Sequence, residues 1–332
     1  MFTFLSVVVI PVVLAVMVGL YQKNTNAMCK SKKRLDGKTA IITGGTTGMG
    51  LRIAIDFADR GAKVIVACPY PDEGTSAIKT VNDKTGSKKV IYKYLDLASI
   101  DSVRSFAADI MDTEDRLDIL VNNAAVGVVG DFLTKDGMHI IMQVNYFGHF
   151  LLTLLLLPLL KKTGRPLEPS RIVNTSSLYH NIGKIDFKNL NKTNYWYPFQ
   201  IYAHSKLALV MFARELTCRL RGSRDTHVVI NSVDPGAAGT NLFYSFGFIR
   251  GAITKFLIYN MFKTPWEGAQ TAIHVVMDEK AGKVSGEFFK NCKQTSAHWS
   301  AYNEKVAKQL WEESVRLVKM SDEELNRCFL DL

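Results

Sequence analysis

Cysteine is scarce in this sequence, and its spacing argues against cross-links and bound metal. The 332 residues include five cysteines, Cys29, Cys68, Cys218, Cys292 and Cys328. Their number is odd, no two are close along the chain and no Cys-x-x-Cys pair occurs. This distribution predicts neither a disulfide framework nor a zinc site, and it favours free thiols in a reducing compartment.

Features of nucleic-acid recognition are missing as well, although the chain is basic. The net charge is +10, but no zinc-ligand spacing, basic helix or RNA-binding aromatic motif accompanies it. Part of the excess follows the first hydrophobic run, where a cationic collar beside a membrane explains it. These positive residues are Lys23, Lys30, Lys32, Lys33 and Arg34. We therefore expect a membrane, and no nucleic acid, as a partner.

Charged residues are absent from Phe2 to Tyr21. A helical run of about 20 apolar residues spans about 30 Å of hydrocarbon, even with a kink at Pro11. A cleaved secretory signal is the alternative, but no basic segment precedes the run and only a poor cleavage site follows it. We predict a transmembrane signal anchor at 1–21 and a basic juxtamembrane linker at 22–36.

The charges around this run also predict an orientation. Positive residues follow the span, and flanking positive charges tend to remain on the cytosolic side. We therefore expect a single-pass protein with its main domain in the cytosol. The endoplasmic reticulum is the default membrane for an anchor of this type.

The rest of the chain alternates short β-rich runs with helical stretches. Strand candidates are 38–43, 62–67, 89–95, 117–121, 171–175 and 227–233, with a shorter one near 284–289. This alternation predicts a single α/β domain at 37–300 with a doubly wound, Rossmann-type parallel sheet. A helical extension is expected at 301–332. The apolar run 150–160 is too short to cross a membrane, so we expect a buried crossover helix or a helix at a subunit interface.

Residues 43–50, read TGGTTGMG, follow the first predicted strand and open the first predicted helix. Glycines allow a tight turn and a close approach of the backbone to a pyrophosphate, while the helix N-terminus offers unpaired N–H groups. The position between strand and helix therefore predicts a dinucleotide-binding loop.

This loop resembles the TGxxxGxG motif of short-chain dehydrogenases/reductases. In the same order as in that family, LVNNAA at 120–125 resembles its NNAG motif, and DPG at 234–236 resembles its PG motif. Asp96-Leu97 stands where the family's acidic residue approaches the adenine ring. The resemblance implies a nicotinamide dinucleotide bound by Gly44, Thr46, Gly48, Met49, Gly50, Asp96, Leu97, Asn122, Ala124, Tyr202, Lys206, Pro235, Gly236 and Thr240.

Tyr202 and Lys206 form a YxxxK pair. Residues four apart share one helix face, so the ammonium is expected beside the phenol and should lower its pKa toward the working pH of a general acid/base. The resemblance adds Ser177, which would steady the reacting oxygen, and Asn145, which would hold a water in a proton relay. The second pair, Tyr259 to Lys263, lacks such partners and is interpreted as packing. We do not expect the flanking His180 and His204 to be essential.

The residues after the second strand bear on the choice of cofactor. Cys68 stands where NAD-preferring members of the family carry an acid. The retinol dehydrogenase branch has Ala-Cys-Arg there, and its arginine pairs with the 2′-phosphate of NADP. Here the sequence is Ala67-Cys68-Pro69, without the arginine. The branch resemblance and the absent acid favour NADP, with NAD as the alternative.

The C-terminal third predicts a lipophilic substrate. Thr264-Pro265, Trp299 and Leu310-Trp311 resemble membrane-anchored retinol dehydrogenases, and 241–263 is an apolar substrate lobe. The lobe is either buried or a lid on the membrane surface. Three hypotheses follow: a retinol/retinal-type oxidoreductase, the same chemistry on a polyprenol, farnesol or steroid, or a non-catalytic Rossmann scaffold. Family members commonly form homodimers through helices placed near 131–163 and 200–222 here; a monomer is the alternative for an anchored member.

Overall fold

The computed structural model describes residues 17, 19–21, 23–127, 129–221, 227–238 and 262–330. The predicted transmembrane span lies almost wholly outside these residues. Thr240, Tyr259 and most of the predicted substrate lobe 241–263 also lie outside them.

A single sheet organises the described part of the chain. Its eight strands are arranged in the order β3-β2-β1-β4-β5-β6-β7-β8. They are β1 (Thr39–Thr43), β2 (Lys63–Cys68), β3 (Val90–Tyr94), β4 (Ile119–Asn122), β5 (Ser170–Thr175), β6 (Val228–Asp234), β7 (Phe288–Lys290) and β8 (Lys293–Thr295). All neighbours are parallel except β7 and β8. This order confirms the predicted doubly wound α/β fold.

Eight α-helices connect or flank the described strands. They are α1 (Gly48–Asp59), α2 (Pro71–Thr85), α3 (Ile100–Thr113), α4 (Ile140–Thr163), α5 (Pro198–Leu220), α6 (Pro265–Met277), α7 (Glu304–Leu317) and α8 (Asp322–Phe329). Within α4, Gln143–Phe147 forms a π-helical turn. Short 3₁₀ helices occur at Leu178–Ile182, Ala281–Lys283 and Trp299–Tyr302.

The central strands are rich in apolar residues and are buried, because helices cover both faces of the sheet. Every residue of β1, β4 and β5 is buried. One core cluster joins the sheet to α3, α4, α5 and α7, and a second joins the opposite face to α1, α2 and α6. Parallel strands with both faces covered place their carboxyl ends along a single edge of the sheet, where a ligand can be reached.

Two predicted boundaries were wrong. The helix expected from about 131 begins only at Ile140, and residues 133 and 139 instead form an isolated antiparallel bridge. The ring Nδ1 of His139 accepts the N–H of Ile141, which caps the helix start. The seventh strand begins at Phe288 and is followed by β8, which was not predicted because its three residues are all exposed.

The apolar run 150–160 lies in α4. This helix is long and apolar enough to cross a membrane, but 83% of its most apolar window is buried inside the chain. A core helix is the simplest explanation, which matches the first of the two predicted alternatives. The chain's own C-terminal helices supply part of that cover: Trp311 packs edge-on against Phe150, and Lys161 Nζ donates to the carbonyl of Leu330. Surface expected to form a homodimer interface is therefore partly covered within one chain.

The predicted juxtamembrane linker is fastened to the turn between β7 and β8. The N–H of Ala27 donates to Asn291 Oδ1 at 2.8 Å, and Asn291 Nδ2 donates to the carbonyl of Thr25 at 2.6 Å. Further along, the N–H of Cys29 donates to Gln270 Oε1 on α6 at 3.0 Å. The turn is left-handed at Asn291, where φ is +52°. The described part of the linker thus follows the domain surface.

We expect Asn291→Gly to release the linker without straining the turn. Both hydrogen bonds are lost, but glycine accepts a positive φ at no steric cost. Asn291→Ala loses the same hydrogen bonds. Its free energy of unfolding should be lower by a further amount of about 1–2 kcal/mol, because alanine is strained at a positive φ. Trypsin cleavage after Lys30 and Lys32 measures the release, and denaturant unfolding measures the strain. Unchanged cleavage in both variants would contradict the docking of the linker.

Candidate active site

A cavity of about 670 Å³ opens at the carboxyl ends of the strands. That volume is in the range of sites that bind small molecules and cofactors. Its walls come from the β1–α1 and β3–α3 loops, the ends of β2, β4, β5 and β6, and side chains of α4 and α5. Of the predicted site residues, those that line it are Gly44, Thr46, Gly48, Met49, Asp96, Leu97, Ala124, Ser177, Tyr202, Lys206, Pro235 and Gly236.

Three predicted residues do not line the cavity. Asn122 is buried in the sheet, where its Nδ2 donates to Thr153 and Asn174; its neighbour Asn123 lines the cavity instead. Gly50 and Asn145 lie behind the wall. The sequence motif therefore locates this region correctly, but it does not determine which side chain of a neighbouring pair faces the cavity.

The glycine loop has a backbone that other residues would strain. Gly44 and Gly48 have φ values of +62° and +55°. A Cβ on Gly50 would lie 2.1 Å from the carbonyl oxygen of Gly44, so Gly50 allows α1 to pack against the end of β1. The N-terminus of α1 has no acid in its first turn and no side-chain cap at Thr47. Its N–H groups are therefore suited to the negative charge of a pyrophosphate.

The predicted catalytic pair lies on α5 beside the end of β5. Lys206 Nζ lies 5.4 Å from the ring centroid of Tyr202 and donates to the carbonyl of Thr175 at 2.9 Å. Both side chains are buried. Thr175 Oγ1, also in the wall, is buried without a hydrogen-bond partner among the described residues, which leaves a polar atom free for a bound ligand.

Burial is the main influence on the pKa values of these two residues. It lowers the pKa of Lys206 to about 7. It also raises the pKa of Tyr202, and a hydrogen bond with Ser177 opposes that rise only in part. Burial therefore opposes the lowering of the Tyr202 pKa that was expected from Lys206, because removing both groups from water favours their neutral forms.

Ser177 is held by its own backbone neighbours. Its Oγ accepts the N–H of Tyr179 at 3.3 Å, and its carbonyl accepts His180 Nδ1–H at 2.7 Å. The other ring nitrogen of His180 accepts the N–H of His298 at 3.1 Å. These bonds require the neutral imidazole, and burial lowers the pKa of His180 accordingly. His180 thus links the serine to the C-terminal part of the chain.

Asn145 lies in the π-helical turn of α4 and joins two walls. Its side chain bonds the N–H and carbonyl of Val126, at 2.8 and 3.0 Å, and donates to Ser205 Oγ at 3.1 Å. Its carbonyl accepts His149 Nδ1–H at 3.1 Å. A π-turn re-aims the groups of a helix, and such turns are frequent at functional sites.

His149 was missed by the sequence analysis. It is fully buried, and burial lowers its pKa to about 3. Its Nε2 lies 2.8 Å from the hydroxyl of Thr43, which also accepts the N–H groups of Asn123 and Ala124. The neutral ring therefore connects Asn145 to the start of the glycine loop. No sequence motif marked it, because its role depends on three elements that meet only in the fold.

A comparison with known protein families identifies the family to which the glycine loop, the buried Tyr202–Lys206 pair and the strand order point. A family model described as short chain dehydrogenase matches residues 38–246. The chain belongs to the short-chain dehydrogenase family. The resemblance predicted from its motifs is thereby confirmed, and this short-chain dehydrogenase is an NAD(P)-dependent oxidoreductase.

Curated relatives extend over most of the chain. Mouse retinol dehydrogenase 13 is 41% identical over 298 residues, which cover 88% of this chain and 87% of the relative. Mouse retinol dehydrogenase 11 is 38% identical over 96% of this chain and 98% of its own length. Human dehydrogenase/reductase SDR family member 13 is 36% identical over 87% of this chain. The predicted similarity to the retinol dehydrogenase branch is confirmed.

Solved structures share the fold. An uncharacterized protein from Mycobacterium paratuberculosis superposes with a TM-score of 0.70 at 26% identity, covering 89% of this chain and 98% of its own. A short chain dehydrogenase from Shigella flexneri complexed with NADP has a TM-score of 0.60 at 22% identity, covering 79% of this chain and 100% of its own. At that identity the second likeness concerns the fold alone.

Proposed function

We propose that this short-chain dehydrogenase interconverts a lipophilic alcohol and its aldehyde or ketone, with a retinol/retinal-type substrate. The observation that carries the proposal is the convergence of Ser177, Tyr202 and Lys206 on one cavity beside the glycine loop. The alternatives are the same reaction on a polyprenol, farnesol or steroid, and, more remotely, a scaffold that binds without turnover.

The protein's side chains supply the acid/base chemistry of this proposal. The phenol of Tyr202 donates a proton to the reacting oxygen during reduction and accepts it during oxidation. The hydroxyl of Ser177 binds the same oxygen and stabilises its developing charge. The bound nicotinamide ring supplies or accepts the hydride. With a pKa of about 7, Lys206 can gain or lose a proton at neutral pH behind the tyrosine.

We propose that Asn145 is a positioning residue. It does not line the cavity, and its side-chain bonds to Val126 and Ser205 fix the wall against α5. The residue is predicted to hold a relay water, and its main-chain carbonyl accepts His149 Nδ1–H at 3.1 Å. A carbonyl oxygen has a second lone pair, so a relay water remains compatible with this contact.

The proposed substrate follows from the cavity and from the relatives. Apolar side chains line part of the cavity, namely Val126, Ile140, Val144, Leu178 and Phe262. Such a wall favours a lipophilic alcohol, and proteins named retinol dehydrogenases are similar over most of the chain. Cofactor binding by Gly44, Thr46, Gly48, Met49, Asp96, Leu97, Ala124, Tyr202, Lys206, Pro235 and Gly236 is part of the proposal. Binding by Thr240 also remains part of the proposal, while Gly50 and Asn122 would act through packing.

The membrane setting is also proposed. We retain the signal anchor at 1–21, the linker at 22–36, the catalytic domain at 37–300 with its lobe at 241–263, and the extension at 301–332. The domain would face the cytosol from the endoplasmic reticulum. The sequence favours NADP as the cofactor, with NAD as the alternative.

Substrate-dependent oxidation of NADH and NADPH tests the proposed function. Detergent-solubilised full-length protein is mixed with all-trans-retinal, a farnesal or a steroid ketone, and the loss of absorbance of the reduced cofactor is recorded. We expect turnover with retinal. Turnover only with the isoprenoid aldehyde or the steroid would select the second hypothesis, and cofactor binding without any turnover would favour the scaffold.

A further inference from the structure

An acidic side chain lies across the end of the cavity that is remote from the reacting residues. Glu73, in the first turn of α2, accepts a hydrogen bond from Thr46 Oγ1 at 3.0 Å. Both residues line the cavity. The contact joins the glycine loop to the segment after β2, so the carboxylate lies between these two elements.

The strand order identifies this end of the cavity. Ser177, Tyr202 and Lys206 lie at the end of β5 and on α5. The end of β2 is separated from β5 by β1 and β4. A dinucleotide whose nicotinamide lies at Tyr202 and whose pyrophosphate lies at the glycine loop has its adenosine ribose near the end of β2.

Electrostatics at this end oppose an additional phosphate. Among the residues that the structure describes, Lys206 is the single cation in the cavity lining, and it lies at the reacting end. Glu73 and Asp96 are the acids of the lining, both away from it. A 2′-phosphate carries about −1.5 to −2 charges at neutral pH, so it would meet repulsion, and no arginine or lysine of the described lining lies at this end to offset it.

The N-terminus of α2 does not supply a substitute site. A helix N-terminus attracts phosphate through free N–H groups and its partial positive charge. Here the first turn begins with Pro71, which has no N–H, and it contains Asp72 as well as Glu73. Both features weaken the attraction for an anion.

We propose that Glu73 makes this enzyme select NAD(H) over NADP(H). Its carboxylate accepts a hydrogen bond from the free 2′-hydroxyl of the adenosine ribose and repels a 2′-phosphate. It takes the part played in NAD-preferring relatives by an acid at Cys68, from a position five residues further along. The inference rests on the proposed function, and it reverses the NADP preference expected from the sequence.

Direct binding tests the proposal independently of turnover. Isothermal titration calorimetry of the full chain with NADH and NADPH should give a Kd for NADH at least about tenfold lower. Glu73→Gln keeps the size of the side chain and should bring the Kd values for NADH and NADPH closer together. Glu73→Lys should bring NADPH to equal or tighter binding than NADH.

Asp83→Lys is the matched control. It makes the same change of charge at the other end of α2, on an exposed side chain that does not line the cavity. The ratio of the Kd values for NADH and NADPH should stay near that of the unmodified protein. Tighter NADPH binding by the unmodified protein, a ratio unaffected by Glu73→Lys, or an equal shift from Asp83→Lys would each overturn the role of Glu73. Failure to bind either dinucleotide would overturn the proposed function itself.

Discussion

Tyr202→Phe is expected to lower kcat by a factor of about 10²–10⁴ in both reaction directions. The change removes one oxygen atom, the one proposed to exchange a proton with substrate. Tyr202 is 5% exposed, so phenylalanine fills the same space and the fold should persist. Initial rates from reduced-cofactor absorbance measure the loss, and calorimetry with the dinucleotide establishes that the variant still binds cofactor.

Tyr94→Phe is the control for this experiment. Tyr94 ends β3, is 53% exposed and does not line the cavity. The same atomic change there should leave kcat near that of the unmodified protein. A Tyr202→Phe protein that binds cofactor and retains more than about a tenth of the activity would remove Tyr202 from the acid/base role.

Lowering the pH from 7 to 5 is expected to reduce the free energy of unfolding by about 4 kcal/mol through His149 and His204 alone. In the unfolded chain both take up protons near pH 6.5, whereas burial lowers their folded pKa values to about 3 and 4. Stability is therefore complete above pH 6.5 and falls as the pH drops toward 4. Denaturant midpoints at several pH values measure the decline.

His204→Phe separates this contribution from that of other groups. Phenylalanine keeps the ring that packs edge-on against Trp196 and removes the titrating nitrogens. The variant should lose about 2 kcal/mol less between pH 7 and 5 than the unmodified protein. His227→Phe, at a site that is not buried, should show the full decline. Equal declines in all three proteins would mean that buried histidine does not govern acid unfolding here.

The sequence predicts the strands well because a sheet covered on both faces requires continuous apolar runs. β1, β2 and β5 lie within one or two residues of their expected limits. β8 has no such run, since its residues 293–295 are polar and exposed. Its pairing with β7 depends on the turn at Asn291, and a periodic pattern carries no information about that turn.

The site is predicted less completely, for physical reasons that differ from residue to residue. Neighbouring residues at a strand end face opposite sides, so a motif containing Asn122 and Asn123 does not reveal that the second faces the cavity. Burial decides the pKa values of Tyr202 and Lys206, and burial is a property of the assembled fold. Glu73 was overlooked because its contact with Thr46 spans 27 residues, and only the last position of β2 was considered for an acid.

The docked linker determines how the domain can move relative to the proposed anchor. A free tether of 15 residues would let the domain move about 20 Å from its attachment point and rotate in any direction. Residues 25–29 instead run along the β7–β8 turn and α6, a helix that begins three residues after Phe262 in the cavity wall. With the proposed anchor in a bilayer, such a domain would keep one orientation relative to the membrane. A lipid-soluble alcohol would then meet the cavity from one constant direction, by lateral diffusion in two dimensions.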